Sequence, residues 1–324
     1  MKLAVLVSSG LSTLALAAPA QTFENKHARL AKRAALTDVP VTGYATQNGG
    51  TTGGQGGETT NVATLSELAT AVKDDEPRIV IITGPISGTG DVRIGSNKSI
   101  IGKDSNAELS GFTLTVKSKK NVIIRNLIVS KVVGGDAIAI QLASNIWIDH
   151  VDLSSDMSHD KDYYDGLLDI THAGDFITIS NSYFHDHWKC SLVGHSDSNA
   201  AEDTGHLRVT YYNNYWKNIN SRGPSLRFGT GHIFNNYYEN VSDGINTRQG
   251  AQLLVQNNVF VGSKKPLYST NGGYAVAEGN DFGGGANAAP QGTLTSVPYS
   301  VPSLIAASAV KDAVVGSAGA TLTF

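Results

Sequence analysis

Short runs of β-branched and aromatic residues, each closed by Asn or His, recur along the middle of the chain. They read Val122-Ile123-Ile124-Arg125-Asn126, Ile146-Trp147-Ile148-Asp149-His150, Ile177-Thr178-Ile179-Ser180-Asn181 and Val209-Thr210-Tyr211-Tyr212-Asn213. Gly231-His232-Ile233-Phe234-Asn235 and Leu253-Leu254-Val255-Gln256-Asn257 follow, with a fading copy at Ala275-Val276-Ala277-Glu278-Gly279. The closing positions 126, 150, 181, 213, 235, 257 and 279 are 24, 31, 32, 22, 22 and 22 residues apart. Runs of this composition with no helical pattern between them predict strands. The steady step of 22 predicts that the strands stack as coils of a β-solenoid. Leucine-rich repeats share that period but need a recurring Leu consensus, which is absent. Each closing Asn predicts a turn whose amide bonds backbone and the amide one coil away, so the repeated Asn is expected to form a stacking ladder.

Two coils are stretched by roughly ten residues each, over 151–176 and 182–208. Insertions in a solenoid become loops on one face, often the binding face. The ends carry helical signals. Thr64-Leu65-Ser66-Glu67 has capping-box spacing and leads a short helix with Leu65, Leu68 and Val72 on one side, expected to cover the open first coil. Ser303 to Val315 predicts a second short helix. The Gly-rich run Gly49 to Gly57 lacks the Lys-Ser/Thr ending of a phosphate loop and follows no strand, so it reads as a turn-rich lead-in.

Composition narrows the setting. Charged residues make up 16% of the chain, below the roughly 25% usual for globular proteins, and the net charge of −3 leaves no basic footprint for nucleic acid. Met1-Lys2, the apolar Leu3 to Leu16 and the small-residue pattern around Ala17 form a secretory signal peptide over 1–17. The dibasic pair Lys32-Arg33 marks 18–33 as a propeptide, leaving 34–324 as one catalytic domain. No later segment reaches the about 18 apolar residues of a membrane span. The expectation is a secreted, extracellular monomer with no membrane partner. Cys190 is the single cysteine, so stability rests on a large core rather than a disulfide, and Cys190 reads as a buried small side chain. Asn97-Lys98-Ser99 and Asn240-Val241-Ser242 match the N-glycosylation pattern at Asn97 and Asn240.

Acidic residues gather around the stretched coils: Asp136, Asp149, Asp152, Asp156, Asp160, Asp162, Asp165 and Asp169. Lys189, Arg208, Arg222 and Arg227 follow. Oxygen-rich carboxylate clusters suit a hard cation, Ca²⁺ above all in a secreted protein, while loop Asp residues equally serve turns, so composition leaves both open. Zinc is disfavoured: no helical His pair or Cys pair occurs, and His185-Asp186-His187 is expected in an irregular loop. Asp165 and Asp169 would lie roughly 13 Å apart on a straight strand. To share one ion the chain must bend between them, and Gly166 permits it.

Four motifs in order, Gly135-Asp136-Ala137-Ile138, Trp147-Ile148-Asp149-His150, Asp165-Gly166-Leu167-Leu168-Asp169-Ile170 and Arg222-Gly223-Pro224-Ser225-Leu226-Arg227, resemble the family 1 pectate lyases, and closely the secreted fungal ones. The resemblance runs from about Gly43 to Phe282. It implies a right-handed parallel β-helix that uses Ca²⁺ and cleaves polygalacturonate by β-elimination to 4,5-unsaturated products. It further implies Asp136, Asp165 and Asp169 as calcium ligands, Lys189 and Arg227 as substrate contacts and Arg222 as the base. This chain has Gly134 where some members carry an acidic residue two before Asp136, and Thr171 where some carry Lys. Trp147 and His150 fall in a family motif but read as coil packing.

The chemistry has an independent rationale. The C5 proton of a galacturonate unit lies beside a carboxylate and opposite the glycosidic oxygen at C4. A cation bridging that carboxylate stabilises the charge that develops as a base removes the proton, and the C4 oxygen then leaves. No water attacks, so no hydrolytic carboxylate pair is required. Calcium-independent pectin lyases replace part of the carboxylate set with Arg, against the intact Asp165 and Asp169 here. Polygalacturonases carry Asn-Thr-Asp, Asp-Asp and Gly-His-Gly signatures, all absent. A non-catalytic polysaccharide-binding solenoid gives no reason for Lys189, Arg222 and Arg227 to accompany the Asp set.

Overall fold

The computed structural model describes Met1 and residues 34–324, so the signal peptide at 1–17 and propeptide at 18–33 lie outside the described residues apart from Met1. Parallel strands stack in register into a β-solenoid with three faces. The first face holds ten strands from Glu58–Val62 to Tyr274–Glu278, and it contains every repeat run read from the sequence. Ile146 pairs with Ile177, Ile177 with Val209 and Val209 with Gly231, so the two stretched coils leave the register intact. The second face includes Asp152–Ser154, Tyr183–Lys189, Tyr215–Ser221 and Tyr237–Val241. The third includes Ile138–Gln141, Leu168–Thr171, Leu192–Val193, Ser225–Arg227 and Asp243–Arg248. The long strand Glu108–Lys117 joins the last two faces, its first half pairing with Ile128–Ser130 and its second with Ile138–Gln141.

Alternation along each strand sends every second side chain inward. Ile146, Ile148, Ile177, Ile179, Leu168 and Ile170 are fully buried, each contributing about 1.5–3 kcal/mol by leaving water. In-register pairing also stacks like on like: Phe184, Trp216, Tyr238 and Phe260 form a continuous buried pile with ring separations of 4.3, 5.6 and 4.3 Å. Cys190 is buried in this core.

The turn residues behave as expected, with one displacement. Asn126, His150, Asn181, Asn213, Asn235, Asn257 and Gly279 all adopt left-handed backbone, φ between 49° and 64°. The main amide ladder, however, runs one residue later. Asn214 donates to Asn236 at 2.9 Å, Asn236 to Asn258 at 2.8 Å and Asn258 to Asn280 at 2.9 Å. Asn214, Asn236 and Asn258 are all fully buried, and an amide removed from water there needs both partners. Several turn Asn serve the C-terminal segment instead: Asn126 bonds Leu322 at 2.8 and 3.0 Å, and Asn257 donates to Ile305 O at 2.8 Å.

The helix Leu65–Val72 forms with its full capping box between Thr64 and Glu67 and buries Leu68, Ala71 and Val72 in the core. Lys98, fully buried, donates to Asp74 O and Ser96 O just beyond that helix at 2.7 and 3.1 Å. The C-terminal helix spans Ala307–Val314. Its Val310 and Val314 lie against Tyr215, Tyr237 and Val259 on the flank of the second face, so it covers a side of the solenoid.

The insertions bracket one face from two corners. The first, 155–167, joins the second face to the third. The second, 194–207, joins the third to the first and contains the short helix Ala200–Asp203. Both insertions therefore adjoin the third face, one at each of its ends along the chain.

Candidate active site

Strand alternation delivers the acidic side chains to this face. In Leu168–Thr171, Leu168 and Ile170 enter the core while Asp169 faces the opposite way, in register with Ala139. Asp136 stands just ahead of Ile138–Gln141 one coil back. The strand begins only at Leu168, so the chain does turn between Asp165 and Asp169. Gly166 does not adopt a positive φ, so the bend does not draw on glycine's left-handed freedom; its missing side chain matters for another reason. A methyl group on it would sit 2.5 Å from Asp169 Oδ1 and 2.8 Å from Asp136 Oδ1. Both carboxylates close over its α-carbon, which only Gly leaves open. Its N–H donates to Asp136 Oδ1 at 2.8 Å.

Asp136 and Asp169 are thus like charges side by side. Burial, opposed by the Gly166 hydrogen bond and reinforced by Asp165, pushes Asp136 up to about 6. Burial and then the Asp136 charge push Asp169 well above the usual carboxylate range. Asp169 accepts from Leu192 N at 2.9 Å, and its nearest cation, Arg222, stays 3.8 Å away. A pair raised in this way is under-neutralised, and its donors are all oxygen, the set that suits Ca²⁺.

Asp165 is turned elsewhere. Its carboxylate takes Lys189 Nζ at 3.0 Å, and Lys189 is shared with Asp162 at the same distance. Burial opposes the Lys189 charge, but the two carboxylates outweigh it and raise its pKa. Among the described residues no three carboxylate, imidazole or thiol groups close into a ready-made metal cage. The arrangement is a two-carboxylate seat, with an exposed third, Asp165, held beside it by Lys189.

Arg222 follows the strand Tyr215–Ser221 in left-handed backbone, φ 63°, and its side chain is about one-third exposed (29%) at the edge of the seat. Arg227, five residues on, is more confined: its side chain is 11% exposed, pairing with Asp197 and donating to Gly194 O at 3.0 Å. The other acidic residues disperse. Asp149 bonds Arg125 and His150, Asp152 bonds His185, and Asp156 gathers Ser158, His159 and Tyr164 within the first insertion. Arg208 pairs with Asp175 on the first face. Trp147 donates to Ser180 Oγ at 3.0 Å, in keeping with its packing role.

Reading the sequence did not assign a role to His187, Asp162 or Asp197. His187 Nε2 donates to Asp165 O at 2.7 Å and its Nδ1 meets Ser155 Oγ at 2.6 Å, bracing the first insertion, and burial drops its pKa to about 4. Its neighbour His185 instead meets Asp152 and Asp186, so the two imidazoles do not converge. The run His185-Asp186-His187, expected in an irregular loop, lies instead in the strand Tyr183–Lys189, where Asp186 interrupts the alternation with φ 51° and sends the two rings to different partners.

A β-solenoid face with a carboxylate seat and flanking cations is the arrangement expected of a polysaccharide lyase acting on an acidic chain. The pectate lyase family profile matches residues 11–322, and the chain belongs to that family. It is 64% identical over 326 residues to a probable pectate lyase A of Aspergillus flavus, covering 100% of this chain and 99% of the relative. It is 61% identical over 313 residues to pectate lyase A of Emericella nidulans, covering 96% and 95%. Among solved structures, a pectate lyase of Bacillus sp. N165 in complex with trigalacturonate superposes with a TM-score of 0.78 at 31% identity, over 86% of this chain and 99% of that one.

Proposed function

We propose that this chain cleaves polygalacturonate by calcium-dependent β-elimination, leaving 4,5-unsaturated oligogalacturonates. The observation that carries the reading is the pair of half-buried Asp136 and buried Asp169 closed over Gly166, under-neutralised by its own protein and flanked by Lys189 and Arg222. Asp136 and Asp169, joined by Asp165, would hold the ion. Bound there, calcium would supply the positive charge that stabilises the negative charge building as the C5 proton leaves. Lys189 grips a substrate carboxylate, and Arg227 adds a contact further along. Arg222 takes the C5 proton. A guanidinium is an unusual base because its neutral form is scarce. Calcium and Lys189 beside the substrate carboxylate would acidify the C5 proton, and a base whose neutral form is scarce implies activity rising into alkaline pH. The product of the gene is secreted after loss of 1–17 and 18–33, acts outside the cell as a monomer, and carries glycans at Asn97 and Asn240.

The test is ultraviolet detection of unsaturated ends on pectate and on methyl-esterified pectin, with and without chelator. Cleavage of pectate that chelator abolishes and added calcium restores supports the proposal. Undiminished activity in excess EDTA would mean calcium-independent chemistry of the pectin lyase kind.

A further inference from the structure

Beyond the seat, three consecutive coils of the third face converge on one carboxylate from the second insertion. Asp197 Oδ1 accepts from Arg227 Nε, while both its oxygens take Arg248 NH2 at 3.0 and 2.9 Å and Oδ2 takes Asn271 Nδ2 at 3.2 Å. Arg227 and Arg248 are register partners on adjacent strands. Their α-carbons are therefore about 4.8 Å apart, a spacing at which two guanidinium groups repel unless an anion lies between them. Asp197 supplies that anion, and the arginines hold its carboxyl below the usual range. The same loop grips Arg227 a second time through Gly194 O. Neither arginine is used up. Each fork has more donors than Asp197 can accept, so terminal guanidinium N–H groups remain on both; Arg248 Nε, unpartnered among the described residues, is buried and not one of those that could reach a ligand. One carboxylate against two guanidiniums also leaves a net positive charge at this point of the third face.

We infer that Asp197 is a positioning residue. It holds Arg227 and Arg248 parallel on successive coils, so that their remaining donors present a paired carboxylate-binding edge to a polyanionic chain lying along the third face. This rests on the proposal that the substrate is polygalacturonate. A chain with one carboxylate per sugar unit, running along the solenoid, offers successive carboxylates to successive coils. The edge binds substrate equally before and during proton removal, so its loss falls on KM rather than kcat.

The experiment compares wild type, D197N, R248Q and the double variant on long-chain pectate and on trigalacturonate at saturating calcium, following unsaturated ends. D197N keeps the size and hydrogen-bonding reach of the side chain but removes the charge. It is expected to raise KM on long pectate about tenfold, to change kcat less than about twofold, and to affect trigalacturonate less. In the R248Q background the same substitution should add much less, because half of what Asp197 organises is already gone. An unchanged KM for D197N would overturn the inference, as would equal effects on long and short substrates. A lower melting temperature with unaltered KM would reduce Asp197 to a loop fastening and overturn it too. If D197N fails to fold, D197E decides: a retained charge that preserves KM sustains the inference, and a tenfold loss despite the charge contradicts it. Failure of wild type itself to release unsaturated ends would instead refute the proposed function, so the two outcomes are separable.

Discussion

Asp149 and Asp169 are both almost fully buried carboxylates on strands of one solenoid, yet they are displaced in opposite directions. Asp149, on the first face, accepts from Arg125 Nε at 2.8 Å, Ser180 Oγ at 2.7 Å and Asn181 Nδ2 at 2.8 Å, and meets His150 Nδ1 at 2.7 Å. Burial alone would raise its pKa, but His150, Arg125 and Asn181 overcome burial and hold it at about 2. Asp169, on the third face, has one backbone donor and a second carboxylate beside it, and is raised well above the ordinary range. A buried charge that the fold satisfies is architecture. One that the fold leaves unsatisfied is waiting for something the chain does not itself supply.

The contrast predicts effects that separate by face. The largest falls on catalysis at the third face. Arg222→Lys keeps a positive charge but loses the guanidinium geometry, and kcat should drop by about a thousandfold while calcium still binds and the melting temperature holds. Near-normal turnover with an unchanged pH profile would remove Arg222 as the base. On the first face the cost is to stability. Asp149→Asn breaks the buried Arg125 pair, although Arg125 keeps Asp38, and denaturant melts should show a loss of about 2 kcal/mol with kcat of the surviving fold little changed.

These expectations follow from features the chain revealed unequally. The first face was legible because its runs are five or six residues long, recur at one period and end in a residue that tolerates left-handed backbone, as Ile177-Thr178-Ile179-Ser180-Asn181 does. The third face was not, since Leu192–Val193 is too short to show any period. The buried ladder through Asn214, Asn236 and Asn258 was displaced by one residue because turn propensity marks the turn, whereas these fully buried amides stand one position later. The four-residue spacing of Asp165 and Asp169 required a bend, but could not tell that Asp165 would face Lys189 while Asp136 closed against Asp169. Asp197 sits in a loop without repeat, and its three partners are 30, 51 and 74 residues distant. Only the coil geometry brings them together.

Smaller effects sharpen the same contrast. Lys189→Ala should raise KM on pectate about tenfold with a lesser fall in kcat, if the lysine grips a carboxylate already present in the ground state. A pure kcat loss would place it in the transition state instead. pH provides the gentlest probe. Asp136 and Asp169 have folded-state pKa values raised above their unfolded ones, so the metal-free native state binds more protons and loses stability as pH rises from about 4 through 6. Asp149 has the opposite sign: its stabilisation is present above about pH 4 and lost as pH falls toward 2. The stability gap between calcium-loaded and chelated protein should therefore widen between pH 5 and 7, by on the order of 1 kcal/mol. A constant gap would mean the pair is not where calcium acts.

The most direct measurement is calcium titration calorimetry with parallel thermal melts on wild type and Asp169→Asn at pH 7. If Asp136 and Asp169 form the cation seat, wild type binds calcium and its melting temperature rises. Asp169→Asn should melt above wild type in chelator, because one of two repelling buried charges is gone, and should respond weakly to calcium. Calcium binding by Asp169→Asn with wild-type affinity, or a chelated variant that melts well below wild type, would contradict the assignment and make Asp169 a structural carboxylate like Asp149.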